Sequence, residues 1–160
     1  MKRSPASQFA SATAGIPQPQ FAALCWRMRR DKPEVLLITS RDTGRWVIPK
    51  GWQIAGKDGP ASAAQEAWEE AGVEGRIGPA PLGLYAYDKV MTPDKCLPCA
   101  VSVYALRVAT LARRFPERKE RRRKWFTAEK AARKVAEPDL RALLEAVAAG
   151  TVMLKSPDAA

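Results

Sequence analysis

Apolar residues in the first part of the chain fall into short runs bounded by turn formers. "FAALCWRMR" (21–29) and "EVLLITS" (34–40) are two such runs, separated by "RDKPE". "RWVIPKGW" (45–52) is shorter and passes into a loop. β-Branched and aromatic residues in these runs predict strands. "IAGKDG" holds two glycines and an aspartate and is predicted as loop. The pattern then turns helical. Pro60 suits a first helical turn, and the helix is predicted to run through "PASAAQEAWEEA" to Ala71. Gly72 is placed to stop it.

Further along, "VEGRIGPAPLGLYAYDKV" (73–90) reads as broken strand and "PCAVSVYALRV" (98–108) as a clear one. "RKWFT" (123–127) ends another strand. "TAEKAARKVA" (127–136) and "PDLRALLEAVAAG" (138–150) are predicted helices, each with a start signal. Strands and helices mixed in this way predict an α/β fold, a sheet packed between helices. Residues 1–18 are rich in Ala, Ser and Pro and are predicted to form a flexible N-terminal arm. The domain is expected over residues 19–150, followed by a C-terminal tail, 151–160.

The helix from Pro60 carries the main chemical signal. At 3.6 residues per turn, Glu66, Glu69 and Glu70 share one face. Ala64, Ala67, Trp68 and Ala71 are expected on the opposite, core-facing side. No Lys or Arg lies one turn away on the helix to offset the acids. The chain as a whole has 27 Lys plus Arg against 17 Asp plus Glu, a formal charge of +10. A concentrated acidic face in so basic a protein points to a hard divalent cation held by oxygen ligands.

Composition excludes several alternatives. The absence of histidine removes His-based triads, His zinc sites and a His general base. Cys25, Cys96 and Cys99 are too few for a disulfide framework, so a reducing, cytoplasmic setting is expected. No apolar run spans a bilayer, and no membrane partner is expected. "CLPC" (96–99) precedes a strand and has no second pair, so it reads as ordinary cysteines. The run "RRFPERKERRRK" (113–124) carries eight Lys or Arg and two Glu. It could draw in a polyphosphate or contact nucleic-acid phosphates. Trp26 and Trp46 are expected in the core, and Trp52, beside the loop, is the candidate for base stacking.

The segment "GWQIAGKDGPASAAQEAWEEAGV" (51–73) resembles the Nudix box, G-x5-E-x7-R-E-U-x-E-E-x-G-U, where U is a bulky aliphatic residue. Gly51, Glu66, Glu69, Glu70, Gly72 and Val73 fall in register, and Ala67 stands in for the first U. Lys57 replaces the first Glu of the pattern, and Gln65 replaces its Arg. "VLLITSRDTGRWVIPKGW" and "RRRKWFTAEKAARKV" look like the diphosphoinositol polyphosphate phosphohydrolase branch of the family, which also takes dinucleoside polyphosphates.

The resemblance implies an α/β/α sandwich with a mixed β-sheet. It also implies Mg²⁺- or Mn²⁺-dependent hydrolysis of a diphosphate linkage by water attack. Glu66, Glu69 and Glu70 would be metal ligands, joined by a backbone carbonyl near Gly51. Glu70 is the first candidate for general base, with Glu117 and Glu120 as candidates from a later loop. Ser40, Arg41, Arg45 and Lys50 match or flank positions that meet substrate phosphates, and Lys89 and Lys95 lie in a loop where the branch is basic. The branch also tends to carry basic residues where this chain reads "QPQ" (18–20) and "AEP" (136–138), which favours nucleotides over inositol pyrophosphates. The expected partner is a phosphorylated small molecule, ahead of nucleic acid. Two other readings stand beside the hydrolase. One is a Nudix-fold module that binds a nucleotide or RNA with little turnover. The other is an enzyme acting on RNA 5′ ends.

Overall fold

The computed structural model describes residues 16–155. Seven strands form one sheet: β1 (Gln18–Arg29), β2 (Lys32–Thr39), β3 (Trp46–Val47), β4 (Lys50–Trp52), β5 (Val73–Thr92), β6 (Lys95–Leu111) and β7 (Arg123–Thr127). Among the described residues, three helices accompany them: α1 (Gly59–Ala71), α2 (Ala128–Lys134) and α3 (Pro138–Ala149). The main path of the sheet runs β3-β2-β1-β6-β5, with β4 paired to β1 and β7 to β2. β1 and β6 are parallel and the other pairs antiparallel, so the sheet is mixed, as expected.

Alternation along β1 builds two cores. Ala22, Leu24 and Trp26 face Ala131, Leu140, Leu144 and Val147 of α2 and α3. Ala23 and Cys25 face Ala63, Ala67 and Ala71 of α1. A strand buried on both faces needs a continuous apolar run, and "FAALCW" supplies it. The helices therefore cover both sides, giving the α/β/α sandwich.

Two elements differ from the sequence expectation. β1 begins at Gln18, three residues before the predicted strand, and Gln18 and Gln20 are buried. Their polarity hid them. The Gln20 carboxamide accepts the Tyr87 O–H at 2.6 Å, so its burial is satisfied. The predicted arm otherwise lies at residues 1–15, outside the described region. The "broken" strand is one long strand whose register shifts at Glu74/Gly75, Ile77/Pro81 and Pro81/Gly83. Such bulges bend a strand while leaving it in its sheet.

α1 has clean ends. The Asp58 side chain accepts the Ala61 N–H at 2.9 Å. Gly72 closes the helix in the left-handed region, at φ 67°. Arg123 secures this end further, donating to the carbonyls of Ala71 and Ala112, each at 2.7 Å. Arg123→Ala is expected to destabilise the domain by about 2 kcal/mol through these two charge-assisted bonds. A calorimetric Tm about 4–8 °C lower would show it, and an unchanged Tm would refute it.

Candidate active site

α1 lies across β1 and β4 with Ser62, Ala63, Glu66, Ala67, Glu70 and Ala71 on its buried side. The expected segregation of acids from apolar residues is therefore corrected. Glu66 is 0% exposed and Glu70 4%, side by side with the alanines of the core. Helical spacing shows which residues share a face, but not what that face meets. Here it meets Gly51 of β4. A Cβ at position 51 would lie 2.5 Å from the Glu66 carboxyl carbon and 2.6–2.7 Å from its oxygens. The missing side chain makes the space in which that carboxylate sits. Glu69 is half-buried and accepts the Gln65 Nε2–H at 2.9 Å.

Beside this helix is a cleft of about 350 Å³. Six of the sequence-predicted site residues line it: Ser40, Arg41, Lys50, Gly51, Glu70 and Lys89. Gln20, Trp52, Tyr87 and Arg121 also contribute to its walls. Arg45 is drawn aside, its Nη1 3.8 Å from Glu137 Oε2. Lys95 is exposed at the β5–β6 turn. Trp52 is a buried wall, 7% exposed, packed with Leu97 and Cys99 rather than presented as an open platform. A larger hollow of about 470 Å³ lies beside β7 and α2, lined by Lys124 and Lys134. None of the three α1 glutamates lines it, so the smaller cleft is the candidate site.

Four cations, Arg41, Lys50, Lys89 and Arg121, share the cleft with two acids, Asp42 and Glu70. Arg121 places Nη2 3.8 Å from Glu70 Oε1, and its Nε donates to Glu117 Oε1 at 2.9 Å. Arg41 Nη1 lies 3.4 Å from Glu120 Oε1 and 3.8 Å from Glu117 Oε1. The Lys50 backbone N–H points to Glu70 Oε1 at 3.4 Å. Of the loop carboxylates, Glu117 is thus engaged by Arg121, and Glu120 is exposed. Sequence reasoning did not single out Arg121, Tyr87 or Gln20. Arg121 was one cation in a run of eight, and no local pattern distinguishes it.

Lys50 sits with Nζ 4.9 Å from the centre of the Tyr87 ring. Burial pushes its ammonium below the usual 10.5, against the pull of Glu70 and Glu137. A lysine with a lowered folded value penalises folding while charged. That penalty fades as pH rises from the lowered value to 10.5. Ligand binding should run the other way. Affinity for a phosphorylated ligand is expected to fall with rising pH before 10.5 is reached. In Lys50→Arg that alkaline loss should be absent, a contrast measurable by Trp fluorescence titration. A shared alkaline limb would remove Lys50 from the binding role.

Among the described residues, no three acids converge into a closed cation cage. Mg²⁺ does not need one, because one or two carboxylates with phosphate oxygens and waters suffice. Glu66 against Gly51 and Glu70 in the cleft wall offer hard oxygen donors, with no histidine nearby to favour a softer metal. The residues fit a divalent cation.

A mixed sheet between helices, with a carboxylate helix entered from a glycine-bearing strand and a cationic cleft beside it, defines an α/β/α protein. The chain belongs to the Nudix family, matching the NUDIX domain over residues 18–147. It is 36% identical over 104 residues to Nudix hydrolase 12, mitochondrial, of Arabidopsis thaliana, covering 63% of this chain and 51% of that protein. It is 31% identical over 112 residues to human diphosphoinositol polyphosphate phosphohydrolase 3-alpha, covering 69% of this chain and 64% of that one. The chain thus spans between about half and two thirds of these relatives. In fold it is similar to a C. elegans Ap4A hydrolase, with a TM-score of 0.59 and 18% identity over 85% of this chain and 99% of that one. The NUDIX domain of Shewanella oneidensis NrtR, solved with ADP ribose, matches at a TM-score of 0.64 and 14% identity, covering 94% of this chain and all of that one.

Proposed function

We propose that the protein is a divalent-metal-dependent pyrophosphohydrolase that cleaves a diphosphate linkage by water attack. The observation carrying this reading is the meeting of Glu70 with Arg41, Lys50, Lys89 and Arg121 around one cleft. Glu66, Glu70 and the Gly51 carbonyl would hold Mg²⁺ or Mn²⁺, with Glu69 on the same helix. When bound, the cation supplies Lewis-acid stabilisation of phosphate charge and a more acidic water. The chain's own residues do the rest. Arg41, Lys50 and Lys89 bind and orient the phosphates, and Ser40 offers a hydroxyl at the same wall. Glu70, the α1 acid in the cleft wall, takes the proton of the attacking water.

The substrate is a nucleoside or dinucleoside polyphosphate, or a diphosphoinositol polyphosphate. Dinucleoside polyphosphates are favoured within this set. Gln20 in the cleft wall is uncharged where a further cation would serve a densely charged inositol. Tyr87 gives the cleft a half-buried aromatic wall that suits a base or ribose. The three cysteines are free thiols, which fits a reducing compartment such as the cytoplasm. Among the described residues no helix is long and apolar enough to cross a membrane.

Phosphate release tests the proposal. Purified protein with Mg²⁺ or Mn²⁺ is offered dinucleoside polyphosphates, nucleoside triphosphates and inositol pyrophosphates. Turnover that requires the cation and is fastest on a dinucleoside polyphosphate is expected. The uncharged Gln65 favours a second reading, a nucleotide- or RNA-binding module. Bound ligand without turnover across the panel would make that reading the better one.

A further inference from the structure

We infer that Arg121 is a positioning residue, supplying from the β6–β7 loop the charge that α1 lacks at position 65. Gln65 can orient Glu69 through its 2.9 Å hydrogen bond but brings no charge. Arg121 brings one, with a side chain only 10% exposed. Its planar fork is fixed at two points before it reaches the acid. Nε donates to Glu117 Oε1 at 2.9 Å, and Nη1 donates to the Thr39 carbonyl at 3.1 Å. With the plane set, Nη2 comes to rest 3.8 Å from Glu70 Oε1. Lysine, a point charge on a flexible stem, has no planar fork with which to fix these directions.

Glu117 is anchored in turn. Its backbone N–H donates to the Glu69 carbonyl at 2.9 Å. A ring is thereby closed: the Glu69 carbonyl holds Glu117, Glu117 holds Arg121, and Arg121 stands against Glu70 on the next residue of the helix. The ring ties the loop to the last turn of α1, where Glu70 sits in the cleft wall. In such a buried setting, contacts of this kind are stronger than on the surface and fix geometry as well as charge.

The kinetic half of this inference rests on the pyrophosphohydrolase reading; the structural half does not. The Arg121 Nε–H resonance reads the ring without turnover. It is assigned by its loss in Arg121→Lys, which keeps the charge and gives a second route if Arg121→Gln does not fold. Slow exchange with solvent is expected in wild type, and much faster exchange in Glu117→Gln. In steady state, Arg121→Gln, or Arg121→Lys in its place, is expected to lose about 100-fold in kcat with KM nearly unchanged, the loss typical of a misplaced group. Adding Gln65→Arg should restore part of that kcat. Fast exchange in wild type overturns the ring. A rise in KM alone, with no recovery from Gln65→Arg, makes Arg121 a phosphate contact and overturns its positioning role. If wild type is silent on every substrate, the hydrolase reading fails, and the exchange measurement still decides the ring.

Discussion

Glu70→Gln is expected to lower kcat by roughly 100- to 10,000-fold, the range for loss of a general base, while the fold survives. The substitution keeps shape and hydrogen-bonding capacity but removes the charge that faces Arg121 and the cleft. Arg121 keeps Glu117 and the Thr39 carbonyl, so one guanidinium is not left stranded. The expected Tm change is correspondingly small. Steady-state turnover in Mn²⁺ and in Mg²⁺, with a thermal melt of the same sample, checks both halves. A kcat within a fewfold of wild type would remove Glu70 from the chemistry. Attention would then move to Glu117, the other carboxylate held by Arg121. A collapse in Tm together with kcat would mean that Glu70 is structural first.

The acidic helix was legible because its signals are local. Pro60 and Gly72 punctuate it, and the spacing of Glu66, Glu69 and Glu70 follows from 3.6 residues per turn. Ser40, Arg41, Lys50 and Lys89 were reached by family likeness, and they meet in one cleft. What escaped is tertiary. Periodicity could not reveal that Glu66 and Glu70 are buried, because that depends on a glycine in a different strand. Arg121 escaped because its partners come from β2, α1 and its own loop, and neighbouring arginines in the run have other fates. Arg123 caps α1, while Arg113, Arg114 and Arg118 are exposed. Gln20 escaped because a polar residue in a buried strand is intelligible only once the Tyr87 hydroxyl is seen beside it.

Gly51→Ala carries the second large expectation, and conformational freedom is not its basis. Position 51 does not sit at positive φ; space is what it lacks. The added methyl would arrive 2.5 Å from the Glu66 carboxyl carbon, inside any real contact distance. β4 cannot retreat easily, since Gly51 pairs with Phe21 of β1. Glu66 is fully buried, so no open solvent receives its displaced carboxylate. Overpacking of this kind costs about 1–3 kcal/mol. Displacing a group that holds the reaction geometry by about 1 Å can cost roughly 100-fold in rate. Both losses are expected together, in Tm and in metal-dependent turnover. Gly56→Ala separates the causes. Gly56 has φ 79° with nothing within 4 Å of an added Cβ, so its alanine variant strains the backbone without touching the acids. It should lose stability and keep its turnover. If Gly51→Ala keeps both Tm and turnover, Glu66 has room that the packing does not show, and its place beside Gly51 does not matter to the reaction. If Gly56→Ala loses turnover as well, it is the whole loop ahead of α1, rather than the contact between Gly51 and Glu66, that sets the site.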